Sequence, residues 1–244
     1  DVDGHRSGIR PDGAELLPAA AALADGAELV GVLTHAGDSY ECKTTAEIEA
    51  AAEAERAGIV LAAERLRAAG HTVKIVSAGS TPTLMFAKDE TGVTEMRAGV
   101  CALFDLFMSN VGACTVDDIA GSVLATVIGR QVDKRRVILD CGFLALSRDR
   151  GTARQAHDYG YGLVCGLDGK PLADGTIVLT GTNQEHGILT LPENSPLTQE
   201  DFPIGRRLRI LPNHACPTAA PYGSLVLIEN GRVAEVLDHV RGWD

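Results

Sequence analysis

Near the carboxyl end the chain reads Pro212-Asn213-His214-Ala215-Cys216-Pro217-Thr218, with an imidazole and a thiol separated by one small residue. The run before it, RRLRIL at 206–211, has the pattern of a strand. A strand continued through 216 would send both side chains off one face, about 7 Å apart. A metal ion can bridge such a pair. Two ligands do not close a tetrahedral structural zinc site, so the pair suits an open catalytic position completed by water or substrate. The blander alternative is a buried thiol beside a strand-end histidine, and H-x-C spacing alone favours that alternative.

A second set of reactive groups gathers where the short apolar runs of the first hundred residues end. His5 and Arg6 follow the first run, and His35, Asp38 and Tyr40 the second. Ser77, Gly79, Ser80 and Thr81 follow the third, and Arg97, Gly99 and Val100 the fourth. In α/β barrels the carboxyl ends of the strands are where sites form. The stretch VSAGSTPT at 76–83 predicts a small strand-to-helix turn whose backbone N–H groups can hold a phosphate. It is neither G-x-x-x-x-G-K-[ST] nor G-x-G-x-x-G, so the lone phosphate of a compact cofactor fits better than a nucleotide; the plain alternative is a capped turn. Arg6 and Arg97 can donate bidentate bonds to an oxyanion or a ring heteroatom, although most arginines are solvated surface groups. NQEHG at 183–187 sets Glu185 beside His186, an acid/base pair if a turn presents them and a surface turn otherwise.

These groups need elements to hold them. Up to about residue 109 short apolar runs alternate with helical stretches, which predicts a parallel α/β sheet or barrel. Expected strands are DVD at 1–3, AELVGVLTHAG at 27–37, TVKIVSAGS at 72–80 and VTEMRAG at 93–99. Between them the sequence predicts a helix over 13–24, a long Ala-rich helix after the Thr44/Glu47 capping signal that stops at Gly70, and a short helix over 82–87. From about 115 eight apolar runs, separated by turn sequences such as LDGK, ADG and ENGR, predict successive strands. The expectation is two packed domains, 1–110 and 111–244.

The 244 residues suffice for a real core, and 45% hydrophobic with 23% charged residues is a globular balance. A net charge of −11, with no basic stripe, argues against nucleic-acid and anionic-membrane partners and leaves a small molecule. No uncharged apolar run is long enough to span a bilayer. The six cysteines form no C-x-x-C pair, which reads as reduced thiols and a cytoplasmic protein.

In order, these pieces resemble the fold-type III pyridoxal-phosphate enzymes of the D-serine dehydratase and D-threonine aldolase family, whose barrel is like that of alanine racemase. The resemblance spans the chain and rests on DVDGHRSGI, LTHAGDSY, VSAGSTPT, EMRAGV, NQEHG and PNHAC. It implies part of an alanine racemase-like barrel followed by a β-rich metal-binding domain. Arg6 would face the phenolic oxygen of pyridoxal 5'-phosphate, with His35 by the pyridine ring and Tyr40 close to the cofactor. VSAGSTPT would be the phosphate-binding turn, and the Arg97-x-Gly99 strand would end near the cofactor. It gives His214 and Cys216 a metal ion. The His-x-Cys pair resembles the dehydratase branch, whereas His-x-Asp is usual in the aldolases. A thiolate beside an imidazole suits Zn2+, with Mn2+ or Mg2+ the alternatives.

The implied activity is elimination of water from a D-β-hydroxy amino acid such as D-serine or D-threo-3-hydroxyaspartate, ending in a keto acid and ammonia. The family alternative is aldol cleavage; a different reading is a non-catalytic fragment that binds a phosphate-bearing ligand. A homodimer is also implied. The sequence departs from the family twice. None of Lys43, Lys74, Lys88, Lys134 and Lys170 occupies the place of the family's cofactor lysine, so an N-terminal portion lying elsewhere, in a preceding segment or a separate chain, is expected to supply it. Cys101 stands where relatives commonly place a tyrosine. Recognition of a second substrate carboxylate would need a further cation, for which Arg148, Arg150 and Arg154 are candidates.

Overall fold

The computed structural model describes residues 1–4, 6–23 and 26–240; His5, one of the expected site residues, lies outside them. The chain divides into two compact units, residues 1–101 with 111–113, and residues 102–110 with 114–244.

In the first unit α1 (Leu16–Leu23) precedes β1 (Gly31–Leu33), followed by α2 (Thr45–Ala68), β2 (Ile75–Ala78), α3 (Thr81–Phe86) and β3 (Glu95–Met96). The strands form a parallel sheet in the order β1-β2-β3. Alanines along α2 let it lie close to the sheet, and Ile59, Ala63 and Leu66 pack with Val73, Val76, Ala78 and Ala20 into one apolar cluster. The start of α2 follows its sequence signal. Thr44 Oγ1 accepts the N–H of Glu47, and Glu47 returns a carboxylate oxygen to the N–H of Thr44. Gly31 is required at the β1–β2 contact, because a Cβ there would stand 2.3 Å from the carbonyl oxygen of Ile75.

The expected strand at 1–3 is absent. Instead, the Asp1 carboxylate accepts the N–H of Gly4, the Asp1 backbone nitrogen donates to the carbonyl of Ile9, and Gly4 and Gly8 take positive φ. Among the described residues no neighbouring strand offers this stretch a ladder.

The first helix of the second unit is α4 (Leu106–Val111), which belongs to that unit as far as residue 110. The unit then runs through β4 (Val123–Gln131), β5 (Arg136–Leu139), α5 (Phe143–Leu146), β6 (Leu163–Cys165), β7 (Leu179–Thr182), β8 (Gly187–Thr190) and β9 (Arg207–Leu211), and ends with α6 (Ala215–Ala219), β10 (Ser224–Glu229) and β11 (Arg232–Asp238). Six strands make an antiparallel sheet in the order β6-β9-β4-β5-β8-β7. Alternate residues of β4, Val123, Ala125 and Val127, enter a core shared with Val137, Leu139, Leu179, Leu189, Phe202, Leu208 and Ile210, as the period of two requires. β10 and β11 pair separately as a hairpin whose turn residues, Asn230 and Gly231, both take positive φ. All eight apolar runs after residue 115 thus contain strands. No described helix is long and apolar enough to cross a membrane.

Candidate active site and metal pair

The first unit carries a cleft of about 420 Å3 lined by Asp3, Arg6, Ser7, Thr34 and His35 together with the apolar Val32 and Ile59. His35 is fixed by a 3.1 Å contact between its Nδ1 and the carbonyl of Gly79, and its ring centroid lies 5.7 Å from that of Tyr40. Gly79 itself needs to be glycine: φ is +123°, and a Cβ would lie 2.8 Å from both the nitrogen and the oxygen of Arg97.

The hydroxyls of the 76–83 turn are already engaged. Ser80 Oγ caps α3 by accepting the N–H of Thr83 (3.3 Å), and Thr81 Oγ1 accepts the N–H of Val100 (3.0 Å), which brings Gly99 and Val100 against the turn. The guanidinium of Arg97 donates to Ser77 Oγ and to the carbonyl of Thr34, while Ser77 donates to Glu95 (2.5 Å). Arg97 therefore ties the carboxyl ends of all three strands together. Beneath the turn lies a group that sequence reasoning missed, the buried Glu55 of α2. Its carboxylate accepts the N–H of Ala36 (2.8 Å) and the hydroxyl of Thr83 (2.7 Å), and Ser39 bridges to Ser80 (3.0 Å). A lone polar residue on the inner face of an Ala-rich helix was the available signal.

In the second unit His214 and Cys216 do not share a strand. β9 ends at Leu211, Pro212 cannot donate to the ladder, and His214 becomes the N-cap of α6 with Cys216 at its second helical position. The change follows from Asp105, only 1% exposed: one carboxylate oxygen accepts the N–H of Ala215 (2.8 Å), the other that of Met108 (2.9 Å). Burial raises its pKa against the pull of these two bonds.

Asp149 is the second residue missed. Its Oδ2 stands 2.7 Å from His214 Nδ1, and its Oδ1 accepts the N–H of Gly151 (2.7 Å). Burial opposes charge on His214, yet the hydrogen bonds it donates to Asp149 and Cys216 and their charges push its pKa up to about 10; the bond from His214 in turn holds the Asp149 carboxyl below its ordinary value. The Cys216 side chain is therefore within reach of the ring, and it is exposed. Among the described residues no third His, Cys, Asp or Glu joins the pair in a metal-holding group. The donor set of one imidazole and one accessible thiol fits an open zinc position with places left for water or substrate.

Glu185 and His186 stand exposed on the turn between β7 and β8, which is pinned where the N–H groups of Phe143 and Leu144 donate to the carbonyls of Asn183 and Gln184. Of the three arginines near 150, Arg148 lies over the Phe143 ring (3.9 Å), whereas Arg150 is paired with Asp158 (2.6 Å).

A barrel-type parallel sheet with a β-rich domain carrying a His-x-Cys pair defines a class, and the comparisons agree with it. The family model "Alanine racemase, N-terminal domain" matches residues 1–106, and "Putative serine dehydratase domain" matches 120–228. D-threo-3-hydroxyaspartate dehydratase of Delftia sp. (strain HT23) is 51% identical over 247 residues, covering 100% of this chain and 64% of that protein. Its crystallised counterpart superposes with a TM-score of 0.91 at 52% identity, over 100% of this chain and 65% of that one. D-serine dehydratase of Dictyostelium discoideum is 30% identical over 82% of this chain and 51% of its own length. The chain thus spans between half and two thirds of the length of these relatives. D-threonine aldolase from Filomicrobium marinum, at 21% identity over 98% of this chain and 60% of its own, shares the fold with a TM-score of 0.75. Two solved variants of D-threo-3-hydroxyaspartate dehydratase replace a histidine and, two positions later, a cysteine by alanine, the latter in a metal-free form. The chain belongs to the fold-type III pyridoxal-phosphate family of D-serine dehydratases and D-threonine aldolases, joining part of an alanine racemase-like barrel to a serine dehydratase-like domain.

Proposed function

We propose that this protein is a pyridoxal-phosphate- and zinc-dependent dehydratase, an ammonia-lyase, of a D-β-hydroxy amino acid, with D-threo-3-hydroxyaspartate and D-serine as its substrate class. The observation that carries the reading is the His214–Cys216 pair, with one ring nitrogen held by Asp149 and the thiol open to solvent. The metal-free cysteine variant of D-threo-3-hydroxyaspartate dehydratase supports a ligand role for a cysteine in that setting. When bound, the cofactor would supply an electron-withdrawing ring that acidifies a substrate α-carbon, and zinc, held by His214 and Cys216, would supply a Lewis acid for a hydroxyl.

The chain's own residues have the following roles. Residues 1–110 hold the cofactor: Arg6 and His35 orient it from the cleft wall, with Tyr40 beside the imidazole. Ser77, Gly79, Ser80, Thr81, Arg97, Gly99 and Val100 form the phosphate-side turn. Since the Ser80 and Thr81 side chains and the N–H groups of Ser80 and Thr83 already bond to protein, and Pro82 has no N–H, this turn would present the N–H groups of Gly79 and Thr81 rather than hydroxyls. Residues 111–244 hold the metal, through His214 and Cys216, and offer Glu185 and His186 as the proton-handling pair. A thiol with an imidazole favours zinc over manganese or magnesium, and with it the dehydratase over the aldolase. Six free cysteines and the acidic charge fit the cytoplasm, and family likeness gives a homodimer.

The test uses the polypeptide as its gene encodes it, with added cofactor and zinc. Ammonia and keto acid released from D-serine and D-threo-3-hydroxyaspartate, but not from the L-enantiomers, and stopped by a chelator, are the expected result. Glycine with an aldehyde would move the protein to the aldolases. Retention of cofactor without turnover would leave a ligand-binding protein.

A further inference from the structure

The proposed metal pair leaves one question open: which nitrogen of His214 faces the ion, and what decides it. An imidazole binds a metal through a nitrogen that carries no proton, so the ring must hold its proton on the other one. His214 Nδ1 lies 2.7 Å from Asp149 Oδ2, and a carboxylate only accepts, so this nitrogen donates. The carboxylate is itself fixed. Its other oxygen accepts the N–H of Gly151 at 2.7 Å, and the carbonyl of the same residue accepts a hydrogen bond from the side chain of buried Asn213 at 3.1 Å. Asn213 also donates to the carbonyl of Gly160 and accepts from Thr152, so the segment carrying Asp149 is held to the residue preceding His214.

We propose that Asp149 is the positioning residue of the metal pair: by accepting the Nδ1 proton of His214 it sets the tautomer and ring orientation that leave Nε2 to bind zinc alongside Cys216. The inference rests on the metal reading above and adds to it a residue that touches neither ion nor substrate. Carboxylates in this relation to a ligating histidine raise its basicity and freeze its rotation, and their loss lowers metal affinity about 10- to 100-fold.

The near-isosteric variant Asp149→Asn makes the test specific. An asparagine has one acceptor where two are needed. If its oxygen keeps the Gly151 N–H, its amide N–H meets Nδ1 and forces the proton onto Nε2, the metal-facing nitrogen; if the amide flips, N–H confronts N–H at Gly151. The measurement is the affinity of the purified protein for zinc ions alone, in competition with a chromophoric chelator, for wild type, Asp149→Asn and the ligand variant Cys216→Ala. The proposal expects tight binding by wild type, a loss of about 10- to 100-fold in Asp149→Asn with an unchanged far-UV spectrum, and a larger loss in Cys216→Ala. Wild-type binding with an undiminished affinity in Asp149→Asn overturns the role of Asp149 and leaves the metal reading intact. Zinc binding by wild type that Cys216→Ala does not weaken overturns the metal reading itself. Nitrogen-15 NMR of zinc-bound wild type gives a second readout that needs no variant. The proton is expected on His214 Nδ1 with the metal on Nε2, and the reverse assignment overturns the proposal.

Discussion

The carboxylate of Asp105 holds the turn that carries His214 and Cys216, and its removal has a calculable cost. In Asp105→Ala the N–H groups of Ala215 and Met108, both belonging to buried residues, lose their acceptor. A buried donor left unpaired costs about 1–3 kcal/mol, so the pair costs about 2–6 kcal/mol, less some relief from no longer burying a carboxyl. Asp105→Asn keeps one acceptor and should cost about half as much, about 1–3 kcal/mol. With a urea dependence of about 2 kcal/mol per M, the alanine variant moves the unfolding midpoint down by about 1–3 M, followed by far-UV circular dichroism. Because the Ala215 N–H lies between His214 and Cys216, the same variant should also weaken zinc binding. A shift below about 0.5 kcal/mol, the range of ordinary surface substitutions, would refute the reasoning.

Other predictions follow from single features. Burial pushes the Cys141 and Cys165 thiols up to about 12, whereas Cys101 and Cys216 are exposed. Alkylation of the native protein at pH 8, read by peptide mass spectrometry, should label the exposed pair and spare the buried pair, and zinc should protect Cys216 but not Cys101. The backbone N–H groups of Lys43 and Thr44 hold the Glu47 carboxyl below its ordinary value. A depressed carboxylate contributes stability above its unfolded pKa and loses it as pH falls through the folded one, so the difference in melting temperature between wild type and Glu47→Gln should shrink as pH drops below about 4. Gly142 allows no side chain: a Cβ would stand 2.2 Å from the carbonyl oxygen of Asn183 and 2.3 Å from that of Gln184. Gly142→Ala should cost about 1–3 kcal/mol in urea denaturation, and should displace the turn carrying Glu185 and His186, seen as altered amide exchange there. Phe202, fully buried in the core of the large sheet, should cost about 3–5 kcal/mol on truncation to alanine.

Periodicity and turn chemistry carried most of the fold. Alternation at Val123, Ala125 and Val127, the Thr44–Glu47 box and the Asn230–Gly231 turn are local signals, and each became the expected element. The strand expected at 1–3 is not part of any sheet among the described residues, and local sequence does not encode pairing. His214 and Cys216 were legible as residues but not in their setting: the helix that holds them depends on Asp105, 110 positions before the N–H it accepts, a distance no periodicity spans. Asp149, 65 positions from His214 and flanked in sequence by Arg148 and Arg150, escaped for the same reason. The hydroxyls of Ser80 and Thr81 looked available in sequence, because cap geometry and the approach of Val100 are tertiary facts.

The most direct test of the account relates ammonia release from D-threo-3-hydroxyaspartate to zinc bound per chain, with cofactor saturating. The account predicts activity that rises in proportion to occupancy, levels off at one zinc per chain and is absent in Cys216→Ala. Full activity in zinc-free protein, or in Cys216→Ala, would contradict it.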